Sequence, residues 1–299
     1  MRRRGRDRED PNRTGEGRRQ GLLLLDSGNS RLKWALVRSP YQRRQAFAAR
    51  GVLELASVHR SAAALARVLR AAGPDVRVHA CNVAGERAER QIRLAVSGAG
   101  LRAPRFARSA AVAAGVRNGY REAWRLGVDR WVALIGARHE YPGEALCLVG
   151  IGSALTIDLL GADGRHHGGS ILPGPRMMIE SLLSRTAGIR RRAALPAPQL
   201  AQALAAAPAA GSPEESLFAR DTRMALLSGA RHACALLIER AVAQGRVQVG
   251  RRVRLIVAGG AADSVAPLLR AAHRRDDDLV LRGLAVLAQG APSKQPRSP

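Results

Sequence analysis

The chain lacks any apolar run approaching the roughly 20 residues that cross a bilayer, and it holds only three cysteines and two lysines among its 299 residues. The first shortage argues against a membrane-spanning protein. A basic segment followed by the apolar residues 22–25 superficially resembles a secretion signal, but that run is too short and Asp26 interrupts it. Cys81, Cys147 and Cys234 are odd in number, far apart and set in apolar sequence. That argues against a disulfide framework and a zinc site, and points to a reducing cytoplasm. Each cysteine reads as a small buried hydrophobe.

Lys33 and Lys294 are the only lysines, so a formal net charge of +25 is carried almost wholly by arginine, alongside abundant alanine. Such enrichment spreads charge over a whole surface, whereas nucleic-acid binding asks for a local patch. The one dense cluster is Arg2, Arg3, Arg4, Arg6, Arg8, Arg13, Arg18 and Arg19. Residues 1–20 have no apolar periodicity and read as a disordered basic tail. Neither nucleic acid nor membrane is the expected partner.

What is present is a core-forming sequence, 46% hydrophobic, long enough for one large or two smaller domains. Residues 21–25 predict a strand that opens into the small polar turn Asp26-Ser27-Gly28-Asn29-Ser30, with a return strand over 31–37. Helices are expected at 61–72 and 86–96, with a strand at 76–81 between them. Residues 117–124 and 129–139 also read as helical. A second cycle opens at Ala145 with a strand, the turn Gly150-Ile151-Gly152-Ser153 and a return strand over 155–160. Helices follow at 177–184 and about 218–244, then a strand at 253–257 and the turn Gly259-Gly260. The alternation of strands and helices predicts an α/β protein. The echo between its halves predicts two similar domains facing a cleft, over 21–143 and 144–290, with tails at 1–20 and 291–299. The alanine- and proline-rich stretch 193–211 reads as a mobile connection.

A carboxylate at the tip of a buried strand, followed at once by small residues and an amide, suits a nucleotide-phosphate cleft. Asp26 can hold magnesium, and the Gly28 backbone can approach a phosphate with no Cβ in the way. Asn29, Ser30 and Lys33 can donate to phosphate oxygens. The same pattern also serves as ordinary turn chemistry. Lys33, the one lysine of the folded body, sits on this hairpin among arginines, which favours a role for it.

The ordered set Asp26-Ser27-Gly28-Asn29-Ser30 with Lys33-Trp34, Gly127-Val128-Asp129-Arg130-Trp131, Gly152-Ser153-Ala154-Leu155-Thr156-Ile157-Asp158 and Gly168-Gly169-Ser170-Ile171-Leu172-Pro173-Gly174 resembles the type III pantothenate kinases. Ala258-Gly259-Gly260 and residues 278–284 fall where that family has comparable segments. The resemblance implies an actin-like ATPase fold, two ribonuclease-H-like domains around a nucleotide cleft, in a homodimer. It implies ATP-dependent phosphorylation of pantothenate with magnesium and a monovalent cation, potassium or ammonium. Asp26 would serve the metal-nucleotide end, with Ser27, Gly28, Asn29, Ser30, Arg31 and Lys33 around the phosphates. Gly152, Ser153, Ala154 and Thr156 would form a second phosphate turn, and Gly259 and Gly260 the adenosine-side loop. Gly127, Val128, Asp129 and Arg130 would bind pantothenate, with Asp129 as the catalytic base and Arg130 pairing with the substrate carboxylate. Thr186 would reach the neighbouring subunit's site.

Each of these residues also has a plainer structural role open to it. Asp129 and Arg130 read equally as a helix N-cap and a solvated arginine, the glycine pairs as tight turns, and Thr186 as a cap. His166 and His167 read as exposed loop residues without metal partners at ligand spacing. One position breaks the family pattern: the second acidic position of its metal site is Gly150 here. The competing expectation is therefore a catalytically weak relative acting as a regulatory or accessory factor, with the arginine-rich tail touching nucleic acid. A sugar kinase of the same fold is disfavoured by Gly127-Val128-Asp129-Arg130-Trp131.

Overall fold

The computed structural model describes residues 21–38, 40–54, 58–194, 196–205 and 216–290. The expected tails at 1–20 and 291–299 lie outside those residues, as do parts of the stretch 193–211. The first half of the chain contributes β1 (Gly21–Ser27), β2 (Arg31–Arg38), β3 (Ala49–Glu54), α1 (Val58–Ala72), β4 (Arg77–Asn82), α2 (Glu86–Gly98), β5 (Arg105–Phe106), the short ribbon β6 (Val112–Ala113) and β7 (Val116–Arg117), and α3 (Val128–Glu140). The second half contributes β8 (Ala145–Ile151), β9 (Ala154–Leu160), β10 (His166–Pro173), α4 (Pro175–Arg185), α5 (Ala187–Ala193), α6 (Ala197–Ala205), α7 (Thr222–Val249), β11 (Val253–Ala258), α8 (Ala262–Val265), β12 (His273–Arg275) and α9 (Leu279–Ala288).

The strands form two five-stranded sheets of the same connectivity, β3-β2-β1-β4-β5 and β10-β9-β8-β11-β12. In each, a three-stranded antiparallel meander is extended by a parallel strand that pairs along its first strand and by a second parallel strand beyond that one. The echo seen in sequence is thus a repeated sheet topology.

Four consecutive leucines explain why β1 is central. Leu22 and Leu24 face α3 and α9, while Leu23 and Leu25 face the other way into a core with Leu65 and Leu69 of α1 and Ile92 and Val96 of α2. A strand covered on both faces reads as a continuous apolar run. β8 behaves alike, with Leu146 and Leu148 joining the α3/α9 core and Cys147, Val149 and Ile151 packing against α7.

The helices α3 and α9 therefore lie between the two sheets, in one core that draws residues from both. They touch closely because each offers a glycine: a Cβ on Gly136 would lie 2.1 Å from the Leu279 carbonyl oxygen, and one on Gly283 would lie 1.9 Å from that of Val132. This shared core fixes the C-terminal ends of β1 and β8, and so the two hairpin turns that follow them.

Several sequence expectations are corrected. Residues 117–124 are not a helix: after β7 the Asn118 amide donates to the carbonyls of Ala110 and Ala123, and its oxygen accepts from the Tyr120 backbone, holding an irregular turn. The long helix is α7, and it begins after Asp221, whose carboxylate caps it by accepting from the Met224 N–H at 2.8 Å. β3, β10 and β12 had no clear alternating pattern. His166 is fully buried in β10 rather than exposed in a loop, and only its neighbour His167 reaches solvent in part. The three cysteines are buried and free, and burial pushes the thiol of Cys147 to about 12 and that of Cys234 to about 11. Among the described residues no helix is long and apolar enough to cross a membrane.

Candidate active site

Asp26 lies one residue before the end of β1, cross-strand from Lys33 on β2. The turn between them is closed by the Gly28 N–H donating to the Arg31 carbonyl at 2.9 Å, which leaves Asn29 and Ser30 exposed at its tip. Ser27 is buried and its carbonyl accepts from the Val83 N–H. Enclosure by protein raises the Asp26 carboxyl from 3.8 to about 6, with Lys33 opposing the shift and Asp129 adding to it. Lys33 Nζ donates at 3.0 Å to the Asp277 carbonyl, so its charge is steered toward the loop before α9.

The N-terminus of α3 supplies the second carboxylate. Gly127 is its N-cap, and a Cβ there would come within 2.8 Å of Asp129 Oδ1. The same Oδ1 accepts from the Arg130 N–H at 2.8 Å, a first-turn contact that favours the charged form. Burial outweighs it, and the Asp129 carboxyl is raised. Two carboxylates that are each costly to ionise thus come from the end of β1 and the start of α3, and the Asp129 charge adds to the shift of Asp26.

Arg130 is not a solvated arginine. It is only 6% exposed, and its Nε and Nη2 hold Asp158 on β9 at 2.8 and 2.6 Å, while Nη1 donates to the Tyr120 hydroxyl at 3.0 Å. The Gly119 N–H donates to His166 Nδ1, which leaves His166 Nε2 to donate to Asp158 Oδ1 at 2.9 Å. The Asp158 carboxyl, despite its burial, is held below its ordinary value by these partners. A guanidinium has five N–H donors, and three are engaged here. Tyr120 and His166, stacked with ring centroids 5.9 Å apart, were not singled out in sequence for this network. No local motif marks them, since their relation to Arg130 is made by folding alone.

On the other side of the cleft, Gly152 and Ser153 turn β8 into β9, and the Gly152 N–H donates to the Ala154 carbonyl at 3.0 Å. Gly150 pairs with Thr156 across the hairpin, and a Cβ at 150 would approach Thr156 Oγ1 to 2.8 Å. Gly259 has φ +108° and sits so near Ile151 that a Cβ would lie 2.3 Å from its carbonyl oxygen. Its N–H donates to Asp277 Oδ1 at 2.7 Å. Arg31 reaches across to this loop, with Nη1 2.6 Å from where a Gly260 Cβ would stand. The first hairpin, the Gly259-Gly260 loop and the end of β8 are thereby brought together.

Between β2, β3 and the Gly259-Gly260 loop lies a cavity of about 460 Å³ bordered by Arg31, Lys33, Arg50, Gly259, Gly260 and Asp277, while Asp26, Asp129 and the Gly152-Ser153 turn do not border it. Its volume and mixed charge suit a polyanionic ligand bound with a cation. Thr186 stands apart from this group. It is half-buried between α4 and α5, with Oγ1 donating to the Leu182 carbonyl at 2.5 Å. Among the described residues no three His, Cys, Asp or Glu side chains cluster as a metal cage. Asp26 fits a magnesium ion delivered with a nucleotide, since such an ion needs only one or two protein carboxylates and phosphate oxygens supply the rest. A cation at Asp26 would also offset the burial and the Asp129 charge that raise its carboxyl. Gly150, where the resemblance places a second acid, offers no carboxylate to a cation.

The two like sheets with α3 and α9 between them define a protein of the actin-like fold. Solved structures of the same fold include a protein of Campylobacter jejuni described as a Baf family transcriptional activator (TM-score 0.53, 20% identity, covering 91% of this chain and 99% of that one). MreB5 of Spiroplasma citri bound to ADP matches with TM-score 0.50 at 9% identity, over 90% of this chain and 96% of that one. Residues 22–244 match the family described as Type III pantothenate kinase, and the chain belongs to that family. A type III pantothenate kinase of Burkholderia thailandensis is 39% identical over 90% of this chain and 98% of its own length, and one of Nitrosococcus oceani is 33% identical over 90% and 94%.

Proposed function

We propose that the chain transfers the γ-phosphoryl group of ATP to the primary hydroxyl of pantothenate, yielding ADP and 4'-phosphopantothenate, the first step of coenzyme A biosynthesis, in the cytoplasm. The observation that carries this reading is the pairing of Asp26 and Asp129, two raised carboxylates from separate motifs that the fold brings near enough for the Asp129 charge to act on Asp26. Phosphoryl transfer asks mainly for positioning and charge neutralisation, plus a carboxylate within reach of the attacking oxygen.

Asp129 accepts the hydroxyl proton. Its raised affinity for protons brings it nearer the operating pH, where a general base works best. Asp26 takes the metal of the metal-nucleotide complex, which supplies Lewis-acid polarisation of the phosphates when bound. Ser27, Gly28, Asn29, Ser30, Arg31 and Lys33 line one phosphate turn, Gly152, Ser153, Ala154 and Thr156 the other, and Gly259 with Gly260 the adenosine side. Gly127 and Val128 shape the pantothenate pocket. Arg130, locked by Asp158 and Tyr120, meets the substrate carboxylate through the donors it has left. Thr186 acts in a homodimer, lining the site of the partner protomer.

The test is ADP release by the full chain with ATP, magnesium and pantothenate, beside Asp129→Asn as a control for contaminating kinases. Pantothenate-dependent turnover that disappears in the variant supports the reading. Folded protein that binds ATP without turnover, and is not restored by Gly150→Asp, sinks it and leaves the accessory-factor alternative that Gly150 favours.

A further inference from the structure

At the opposite end of the second sheet from the cleft, the N-terminal ends of β11 and β12 border a separate cavity of about 450 Å³. Five of its 12 lining residues are arginine, namely Arg246, Arg251, Arg252, Arg254 and Arg274, whereas lysine and arginine together make up 49 of 299 residues in the chain. His273 lines it as well, and Glu144 is the one carboxylate.

The charges are only partly compensated. Glu144 pairs with Arg254 at 2.5 Å. Arg246 lies in the last turn of α7, where the helix C-terminus favours a cation. Arg251, Arg252 and Arg274 have no ion-pair partner among the described residues. The guanidinium carbons of Arg254 and Arg274 lie 5.7 and 5.8 Å from the centre of the Tyr141 ring, so two cations from neighbouring strands gather around one aromatic ring. Holding so many guanidiniums around one concavity costs mutual repulsion that an anion would relieve. Guanidinium forks favour phosphate, which they bind through paired hydrogen bonds.

We propose that this cavity is a second anion site that binds a small ligand carrying two or more phosphate groups. A small ligand is favoured over a nucleic-acid backbone because the arginines line a single half-open concavity of ligand size and do not form a stripe that could follow a strand. The site is separate from the cleft, and occupancy need not compete with ATP.

The probe is inorganic tripolyphosphate, titrated calorimetrically into the full chain held in a saturating concentration of a non-hydrolysable ATP analogue. One further equivalent is expected to bind. In Arg251→Glu/Arg252→Glu, and separately in Arg274→Gln, its affinity should fall at least about tenfold while ATP-analogue binding and thermal midpoint stay unchanged. Absence of binding beyond the cleft, affinity untouched by both variants, or displacement of tripolyphosphate by a lower concentration of duplex DNA would each overturn the proposal.

Discussion

Gly127 stands against Asp129 so closely that a Cβ at 127 would meet Oδ1 at 2.8 Å. The glycine thus sets where the second carboxylate points, because any side chain there pushes the Asp129 carboxylate away from its first-turn position. Gly127→Ala is expected to lower kcat roughly tenfold to a hundredfold, in keeping with the sensitivity of transfer steps to sub-ångström displacement. The thermal midpoint should move little, since the atom displaced is the end of a side chain and the backbone at 127 has negative φ. An unchanged kcat would show that the Asp129 orientation is not set from Gly127.

Asp129→Asn keeps shape and removes the proton acceptor. Turnover should fall by about 10² to 10⁴, with ATP-analogue affinity within about twofold of the parent, since Asp129 belongs to the acceptor side of the cleft. Steady-state rates with pantothenate, paired with analogue titration, separate the two. A loss confined to nucleotide affinity would move Asp129 to the metal end.

Much of this site was legible in sequence because it is made of short, contiguous pieces. Asp26 to Lys33, Gly127 to Arg130 and Gly152 to Thr156 each lie on one turn or one helix start, and local chemistry marks them. What sequence did not show were contacts created between distant segments. Arg130 reads locally as a solvated residue, and only the return of β9 and β10 brings Asp158 and His166 onto it. Arg31 reaching Gly260, and Lys33 reaching Asp277, likewise join segments more than 200 positions apart. The echo of two halves was visible because both central strands, β1 and β8, are buried on two faces. β3 and β12 are edge strands, mostly exposed, so their sequences carry no burial pattern to read.

Asp26 is held at about 6 against an ordinary value of 3.8. A carboxyl raised by folding prefers its proton in the native state, so its ionisation costs stability above about pH 6, and that cost fades as pH falls toward the unfolded value. Asp26→Asn should accordingly raise the thermal midpoint by a few degrees near pH 8, with the gain shrinking toward pH 4. Activity should collapse by about a hundredfold or more. A midpoint lowered at every pH would mean that Lys33 and the hairpin depend on the Asp26 charge more than burial disfavours it.

Arg130 and Asp158 form a buried, two-pronged ion pair, with each side chain about 95% hidden. Removing one partner leaves the other charge without compensation, so Asp158→Asn is expected to cost about 3 kcal/mol of stability in denaturant unfolding. The replacement of both by apolar residues, Arg130→Met with Asp158→Leu, should recover most of that loss while abolishing turnover. Equal destabilisation by the single and double variants would argue that the pair acts through packing and that its charge is incidental.

Gly150 removes a carboxylate from the hairpin opposite Thr156. A monovalent cation there would meet neutral oxygens only, and its attraction to the site would lack the charge term that makes such ions bind well. Exchanging potassium for a bulky organic cation at constant ionic strength should therefore change the rate of the parent protein by less than about twofold. Gly150→Asp should introduce potassium activation, provided that Thr156 rotates to clear the new Cβ, 2.8 Å from its Oγ1. The companion Gly150→Asn, which has the same shape without the charge, separates electrostatics from crowding. If the parent already depends strongly on potassium, the ion is held without a carboxylate at 150, and the weakness assigned to this position is wrong.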